Sequence, residues 1–339
     1  MSVWKKLLET AVYAPSPHNV QPWRLRILSD ETADLLIEKR RTLPKEDPTG
    51  SFIILSMGLF IEALTIVAGQ SSFKLDYDLY QPASRFTPEQ IAKTEGELLP
   101  FARLNLVQQS AGELADSTVD LALFRTRRTS RISFSSQPVP NEDVEALSKL
   151  ACEWGQVYEQ VTAPATINQI LERNIEAVFE DLNVPAYHDE IVEWFRFSDH
   201  SSRQTRDGLD YRCMNSSRLS FWLAAQAPQL LNLPVTGALL RKIYRTQLGH
   251  VPTLGMLAGP FWDPDSALRT GRFLMRFWLE LAKRNLYIHP YGNLVTNKAA
   301  AESTLKLLRV PNIWLIFRIG FSEVPPRSYR RTVEEVLVD

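Results

Sequence analysis

The pattern of apolar and polar positions predicts a chain that mixes long helices with short strands. Residues 3–13 are amphipathic with a helical period, and the helix ends before Pro15, because the residue that precedes a proline avoids the helical region. Residues 51–68 are apolar almost throughout, which is typical of a helix buried on several sides. The segment IWLIFRIGF (313–321) is a near-continuous apolar run of the kind that a central strand gives.

Further strands and helices follow from the same patterns. Short alternating or apolar runs predict strands, and longer runs with a helical period predict helices. The remaining predicted strands are 23–28, 34–39, 74–80, 101–107, 253–259 and 286–289, and the remaining predicted helices are 117–125, 141–152, 166–182, 188–196, 217–231, 236–247, 267–284 and 299–308. The sequence therefore predicts an α+β protein.

A faint internal repeat relates the two ends of the chain. Residues 54–77 can be laid on residues 267–291, which places Gly58 on Gly271. Each copy is a long apolar helix followed by a strand, then by a further apolar strand and a pair of adjacent arginines. Two unrelated α+β halves could match equally well by chance, but the repeat raises the hypothesis that one fold is used twice.

Composition narrows the class of protein. The 38 basic and 39 acidic residues lack the basic excess of nucleic-acid-binding proteins. No apolar run of about 18 residues is uninterrupted and the N-terminal run is too short for a secretion signal, so we expect neither a membrane span nor export. The two cysteines fit a reducing compartment, and we expect a cytoplasmic protein. No histidine or cysteine spacing indicates a metal site.

The loop PSPHNVQPW (15–23) concentrates stiff and amide-bearing residues. Its prolines restrict the backbone, and Asn19 and Gln21 stand between them. An amide both donates and accepts hydrogen bonds, so such a loop suits a flat polar heterocycle. The alternative is a stiff turn that only feeds the following strand.

Two other segments are candidates for ligand binding. RTRRTSRISF (125–134) carries four arginines and three hydroxyl side chains within its first seven residues, which suits a phosphate. The alternative is a solvated basic loop. HPYGN (289–293) follows a predicted strand, and Gly292 allows a ligand to approach the backbone closely; here the alternative is an ordinary turn.

These segments together resemble motifs of the FMN-dependent nitroreductase family. APSPHNVQPW is similar to the family's APSxxNxQPW loop, RRTSRISF to its RRSxRxF phosphate motif, and PPRSYRRTVEEVL to its C-terminal PPxKxRxPLEEV segment. RTLPKEDPTGSFIILSMGLFIEAL resembles a run found in a long-chain subgroup that includes the mycobacterial Acg-like proteins. The resemblance covers both ends and the middle of the chain, and residues 135–265 match poorly.

The order of these motifs is reversed relative to ordinary family members, in which RRSxR precedes the loop and two subunits share each FMN. Here the loop comes first, and no second loop follows RRTSR. The resemblance thus implies a nitroreductase-like fold of mostly antiparallel sheets wrapped by helices. It also implies an intramolecular pseudo-dimer with one FMN site, divided into residues 1–122 and 123–339. The first half would supply the loop, and the second RRTSR, HPYGN and the C-terminal arginine.

The resemblance assigns a role to each basic site residue. Arg127 and Thr129 match the residues that hold the FMN phosphate, and Arg128 lies beside them in sequence. Arg330 matches the C-terminal phosphate arginine. Arg131 matches the basic residue near flavin N1, where a cation would stabilise the reduced flavin.

The resemblance assigns the other site residues to the flavin ring and ribityl chain. Gln21 fixes the loop, and the backbone at Tyr291 and Gly292 faces flavin N5. Ser328 and Tyr291 depart from the family, which has a lysine and an acidic residue there. The full set outside the arginines and Thr129 is Pro15, Ser16, Pro17, Asn19, Gln21, Pro290, Tyr291 and Gly292.

The function implied is transfer of a hydride from NAD(P)H through flavin N5 to a small nitroaromatic, quinone or enone acceptor, with no side chain required as general acid or base. Two alternatives stay open. One is a protein that sequesters FMN under a lid, with residues 185–215 as the lid candidate and no NAD(P)H turnover. The other is a specialised flavin-dependent dehydrogenation in a biosynthetic pathway. We expect a small-molecule substrate, no nucleic-acid or membrane partner, and no need for a homodimer, although the chain is compatible with one.

Overall fold

The computed structural model describes residues 2–109, 119–226 and 233–339. The predicted helices 117–125 and 217–231 lie partly outside these ranges. Within the described ranges, the first prediction overlaps α4 (Leu123–Thr126), whereas residues 119–122 are not helical, and the second overlaps α9 (Arg218–Gln226). The predicted α+β class is confirmed, because helices flank two sheets in which nearly every strand pairing is antiparallel.

The helices and strands are numbered in chain order. The helices are α1 (Val3–Ala11), α2 (Ser51–Gln70), α3 (Pro88–Lys93), α4 (Leu123–Thr126), α5 (Asn141–Glu153), α6 (Pro164–Asn183), α7 (Pro185–Glu193), α8 (Asp199–Thr205), α9 (Arg218–Gln226), α10 (Pro234–Leu248), α11 (Pro264–Lys283), α12 (Asn293–Thr296), α13 (Lys298–Leu308) and α14 (Val333–Val336). The strands are β1 (Trp23–Ile27), β2 (Thr32–Glu38), β3 (Phe73–Leu79), β4 (Leu98–Gln108), β5 (Val157–Val161), β6 (Phe195–Arg196), β7 (Leu209–Asp210), β8 (Leu254–Ala258), β9 (Tyr287–Pro290), β10 (Ile313–Gly320) and β11 (Leu337–Val338).

Two compact units divide the chain. The first comprises Met1–Thr126, Phe261–Leu279 and Tyr329–Asp339, and the second comprises Arg127–Pro260 and Glu280–Ser328. The first segment of the first unit ends at Thr126, four residues after the boundary that the sequence predicts between residues 122 and 123. The sequence placed 261–279 and 329–339 in the second half, whereas they cluster with the first unit; one physical reason is that β11 pairs in parallel with β1. Arg330 therefore belongs to the same unit as the 15–23 loop.

The sheet of the first unit has the strand order β11-β1-β2-β4-β3. All its pairings except that of β11 are antiparallel, and the register between β2 and β4 shifts between Leu35 and Leu36. The sheet of the second unit has the order β5-β8-β10-β9 and is antiparallel throughout, with a register shift between Ile313 and Leu315. Apart from β11, the two sheets have the same order and the same directions.

The strand registers of the two sheets also correspond. In the first sheet Lys74 lies opposite Val107. In the repeat alignment that matches Gly58 with Gly271, Lys74 corresponds to Tyr287 and Val107 corresponds to Gly320. Tyr287 and Gly320 also lie opposite each other, in the second sheet. The register shifts fall at corresponding places too. Identical order, register and irregularity in two sheets support the hypothesis of an internal duplication.

Helix α2 carries the most continuous apolar surface of the first unit. By length and composition it could cross a membrane, but 89% of its most apolar window is buried inside the protein. Leu59, Phe60 and Ile61 are almost fully buried, and the ring of Phe60 stacks on Trp23 of β1 at 4.7 Å. A helix covered on all sides by its own protein is a core helix, as the sequence predicts for 51–68.

Candidate functional site

The 15–23 loop is held in a strained conformation. After α1, Pro17–Asn19 form a single tight turn, and the Oγ of Ser16 accepts a hydrogen bond from the N–H of Gln21 at 2.9 Å. His18, Asn19 and Gln21 all have positive φ angles, of 47°, 56° and 50°. Such angles cost a residue with a side chain about 1–3 kcal/mol each and persist only where the surroundings impose them.

The side chains of Gln21 and Asn19 impose this conformation by binding the C-terminal segment. Gln21 is fully buried; its Oε1 accepts from the N–H of Arg331 at 2.9 Å, and its Nε2 donates to the carbonyl of Asn19 at 3.2 Å. Asn19 Nδ2 donates to the carbonyl of Tyr329 at 3.0 Å. The two amides thus grip the chain on either side of Arg330, which brings two of the predicted site motifs together.

Glu38 at the end of β2 anchors the same arrangement. Its carboxylate contacts Arg24 at 2.7 Å, Arg41 at 3.0 Å and Arg331 at 3.1 Å, and it also pairs with Arg40. Burial alone would raise the pKa of the Glu38 carboxyl, but the hydrogen bond from Arg40 and the nearby positive charges outweigh burial and lower the pKa. The sequence showed only a run of charges here, because the contact with Arg331 joins residues far apart in the chain.

In the second unit the RRTSR segment lies beside β9. Thr129 forms a parallel bridge with Ile288, and the N–H of Ser130 donates to the carbonyl of Ile288 at 3.0 Å. Since β9 ends at Pro290, this pairing brings RRTSR next to the HPYGN segment. Arg128 donates to the carbonyl of Pro325 at 2.7 Å, and Arg127 is buried.

Arg131 of this segment and Arg318 of β10 form a buried cationic cluster, and the ring of His289 from β9 lies within reach of both charges. In the described part of the chain, neither guanidinium pairs with a carboxylate; Arg131 donates to the carbonyl of Cys213 at 3.1 Å. Burial lowers the pKa of Arg131 and of Arg318. Burial, followed by the charges of Arg131 and Arg318, also places the pKa of His289 well below its ordinary value, so the imidazole is neutral at pH 7.

The donor set of this segment fits an anionic cofactor such as FMN. The Nε atoms of Arg128 and Arg131 are buried and have no hydrogen-bond partner within the described ranges. Buried guanidinium donors with no carboxylate to neutralise them are the groups that a phosphate or a reduced flavin would satisfy. The residues present therefore fit FMN.

The HPYGN segment agrees only in part with its predicted role. The N–H of Tyr291 donates to the carbonyl of Ile316 at 2.8 Å, so it is engaged in the fold and cannot face flavin N5. Gly292 remains for this role, and a Cβ on Gly292 would meet no atom within 4 Å, so the space beside its backbone is open. The side chain of Tyr291 is buried, with its ring 5.0 Å from that of His289.

The lid candidate 185–215 belongs to a small substructure that extends through α9. It has its own apolar cluster around Phe195, Phe221 and Ala225, and β6 pairs in parallel with β7. The substructure attaches to RRTSR, because Asn215 Nδ2 donates to the carbonyl of Arg131 at 3.1 Å and the carbonyl of Cys213 accepts from the Arg131 guanidinium.

The predicted site residues therefore fall into two groups, each within one unit. Hydrogen bonds hold together the loop and the C-terminal arginine segment in the first unit, and RRTSR and the end of β9 in the second. The first group is Pro15, Ser16, Pro17, Asn19, Gln21 and Arg330; the second is Arg127, Arg128, Thr129, Arg131, Pro290, Tyr291 and Gly292.

No family model matches the chain. Among curated proteins, the chain is similar to the Mycobacterium tuberculosis protein named "Putative NAD(P)H nitroreductase Rv3131", with 27% identity over 193 residues. The aligned residues make up 56% of this chain and 50% of that protein. The aligned part of the chain thus covers about half the length of this relative. The chain is 22% identical over 354 residues to "Putative NAD(P)H nitroreductase acg" of the same organism, which covers 98% of this chain and 95% of that protein.

Solved structures of FMN-dependent nitroreductases are also similar to the chain. One is NfnB of Mycobacterium smegmatis in complex with NADPH, at 17% identity, with a TM-score of 0.35, 61% of this chain and 93% of that chain covered. Another is NfnB of a Sphigopyxis strain, at 15% identity, with a TM-score of 0.37, 64% and 96% covered. Over almost its whole length, the chain is therefore similar to a curated protein that is named a nitroreductase, at 22% identity.

Proposed function

We propose that this chain is an FMN-dependent oxidoreductase of the cytoplasm. It would take a hydride from NAD(P)H and reduce a small organic acceptor of the nitroaromatic, quinone or enone type. The names of the curated relatives, NAD(P)H nitroreductases, support this reaction class. No nucleic acid, membrane or second copy of the chain is needed for it.

The observation that carries the proposal is the grip of Asn19 and Gln21 on either side of Arg330. The resemblance assigns the loop and this arginine to one FMN, and two hydrogen bonds of buried amides join the loop to the residues on either side of the arginine. A third hydrogen bond, from Gln21 to the carbonyl of Asn19, braces the loop itself. A loop already fixed in a strained conformation loses little further entropy when a ligand binds. The strain and its compensation are what a preorganised binding loop requires.

The chain's own residues would bind and polarise the cofactor. Within the second unit, Arg127 and Thr129 are the proposed phosphate ligands, with Arg128 beside them. Within the first unit, the resemblance gives Arg330 the role of a phosphate arginine. Arg131 holds a positive charge where the resemblance places flavin N1 and the C2 carbonyl. When bound, FMN supplies two-electron hydride chemistry, and the protein supplies binding, orientation and electrostatics.

Binding is tested first by the visible spectrum of purified protein before and after addition of FMN and removal of the excess. Arg127→Ala should weaken FMN binding by about 1.5–3 kcal/mol, the usual worth of a hydrogen bond to a charged group. Arg125→Ala is the matched control, because Arg125 is exposed two positions earlier and its guanidinium lies 5.2 Å from the ring centre of Tyr13. Protein that stays colourless, or equal affinity in both variants, would contradict the site.

Anaerobic mixing with NADPH and NADH tests the reaction itself. Bleaching of the flavin bands by either nucleotide is the expected result. Flavin that binds but is not bleached would contradict the oxidoreductase proposal and leave the binding site standing.

The second candidate function is flavin sequestration under a lid. The hydrogen bonds between Arg131 and residues 213 and 215 favour it, because they tie the 185–226 substructure to a residue proposed to contact the flavin. Phe221→Ala would open the apolar cluster of that substructure. If the substructure restricts access, this variant should be reduced by NADPH faster than the wild type. Equal, fast reduction of both by NADPH and dithionite would indicate an open enzyme.

A further inference from the structure

We propose that Arg318 is a positioning residue that holds the RRTSR segment and adds a second positive charge behind Arg131, and that this charge makes the bound flavin easier to reduce. The inference rests on the proposed function, because it concerns the flavin site. It adds to that site a residue that carries no motif and that stands inside the apolar strand β10.

The guanidinium of Arg318 ties together the segments around the site. Arg318 is fully buried; it donates to the carbonyl of Ser130 at 3.3 Å and to the carbonyl of Leu248. It also lies over the ring of Phe134, 4.8 Å from the ring centre. Ser130 lies between the proposed phosphate ligand Thr129 and Arg131. By holding the carbonyl of Ser130, the Arg318 guanidinium therefore fixes the backbone that carries the side chains of Thr129 and Arg131.

The charge of Arg318 is not neutralised by the protein. No carboxylate pairs with it among the described residues, and its Nε has no hydrogen-bond partner there. The titratable groups that interact with Arg318 are Arg131, Tyr291 and Tyr244. Burial raises the pKa of both tyrosines and lowers that of His289, so these three side chains are neutral at pH 7. A buried cation without a counterion costs several kcal/mol, and a negative charge that forms nearby recovers part of this cost.

Reduction of the cofactor is the event that brings such a negative charge. Arg131 is the proposed contact, and Arg318 acts through it, because Arg318 donates to the carbonyl of Ser130, the residue before Arg131, and the charge of Arg131 acts on Arg318. At an effective dielectric constant near 20, a charge about 10 Å away changes a binding constant on the order of tenfold. Loss of the charge should therefore shift the preference of the site for reduced over oxidised flavin by about that factor.

The experiment compares Arg318→Gln and Arg318→Lys as FMN-loaded proteins. The measurements are the midpoint potential and the dissociation constant of oxidised FMN. Arg284→Gln is the control, because Arg284 lies in the same unit and is partly buried but pairs with Asp143 and Glu280. Should Arg318→Gln not fold, Arg318→Met removes the charge with less loss of packing.

Arg318→Gln is expected to lower the preference for reduced flavin about tenfold, which for a two-electron couple is about 30 mV. Arg318→Lys keeps the positive charge and should keep the midpoint potential. Lysine cannot donate to the carbonyls of Leu248 and Ser130 at the same time in the geometry of a guanidinium, so this variant should bind FMN more weakly. A potential in Arg318→Gln or Arg318→Met equal to that of Arg284→Gln would overturn the inference alone. Wild-type protein that binds no FMN would overturn the proposed function, and this inference with it.

Discussion

Gly58 of α2 and Gly271 of α11 contact each other, and the contact is reciprocal. A Cβ on Gly58 would collide with the carbonyl oxygen of Leu268, and a Cβ on Gly271 would collide with that of Leu55. The alignment that places Gly58 on Gly271 also places Leu55 on Leu268. Reciprocal contact between equivalent residues is what a two-fold axis produces in a homodimer. Together with the corresponding registers of the two sheets, it supports the proposal that the chain is a fused duplication.

Alanine at either glycine should destabilise the protein. The added methyl group has no room, because both obstacles are backbone carbonyls that cannot rotate away, and overpacking of this kind costs about 1–3 kcal/mol or more. Urea unfolding of Gly58→Ala and Gly271→Ala measures the loss. A single increase in the distance between α2 and α11 would relieve both collisions. The double variant should therefore lose less unfolding free energy than the sum of the losses in the two single variants.

Gly292→Ala is the control for these variants. Gly292 has a helical backbone conformation and open space where its Cβ would stand, so alanine there should not reduce stability. Unfolding midpoints of Gly58→Ala and Gly292→Ala that coincide would contradict the tight crossing of α2 and α11.

Gln21→Ala should release the C-terminal segment from the loop. The substitution leaves the N–H of Arg331 and the carbonyl of Asn19 without their buried partner, at a cost of about 1–3 kcal/mol. Hydrogen exchange is the direct measurement: the Arg331 amide should exchange faster, while amides in the middle of β10 should not change. FMN binding should weaken in parallel. Unchanged protection of Arg331 would show that Gln21 is not what holds the segment.

Glu38→Gln should be among the most destabilising single substitutions in the first unit. It leaves Arg24, Arg41 and Arg331 close together without their shared carboxylate, and breaking a buried ion pair costs about 3–5 kcal/mol. Because the pKa of Glu38 is lowered in the folded protein, its stabilising effect is present above the unfolded value near 4.5 and is lost as the pH falls through the folded value.

Denaturant unfolding at pH 7 and pH 4 measures both effects of Glu38. Glu89→Gln is the control, since Glu89 forms an exposed pair with Lys93 and should contribute almost nothing. Equal unfolding free energies for Glu38→Gln and Glu89→Gln would contradict a structural role for the arginine network.

Asp47 should make stability fall as the pH rises, the opposite of Glu38. Burial raises its pKa from 3.8 to about 6, although its Oδ2 accepts a hydrogen bond from the N–H of Ile53 at 2.9 Å at the start of α2. The folded state therefore holds this proton more tightly than the unfolded state. Its contribution is fully present below about pH 4 and is lost as the pH rises through about 6, a loss on the order of 3 kcal/mol.

Asp47→Asn removes this titration and keeps an oxygen that can accept from Ile53. The difference in unfolding free energy between wild type and Asp47→Asn should change between pH 4 and pH 7, with the variant gaining relative stability at the higher pH. A difference that stays constant across this range would mean that Asp47 titrates normally in the folded protein.

The sequence by itself determined the elements that depend on neighbouring residues. The apolar run 51–68 and the run 313–321 form α2 and β10, and the prolines and amides of residues 15–23 form a stiff loop. These features depend on periodicity and backbone restriction within a few residues, which are written locally in the chain. The loop, RRTSR, HPYGN and the C-terminal arginine could be identified as candidate site segments because each motif is also a short run of neighbouring residues.

Tertiary structure alone decided which distant residues meet. The short edge strand β5 and the two-residue β11 carry too little pattern to be predicted, and β11 forms because β1 offers its edge. Glu38 gains its role from Arg331, and Arg318 gains its role from burial beside Ser130 within a strand that the sequence marks only as apolar. The free energy of a buried charge depends on the partners that the fold brings to it, and those partners lie far away in the sequence.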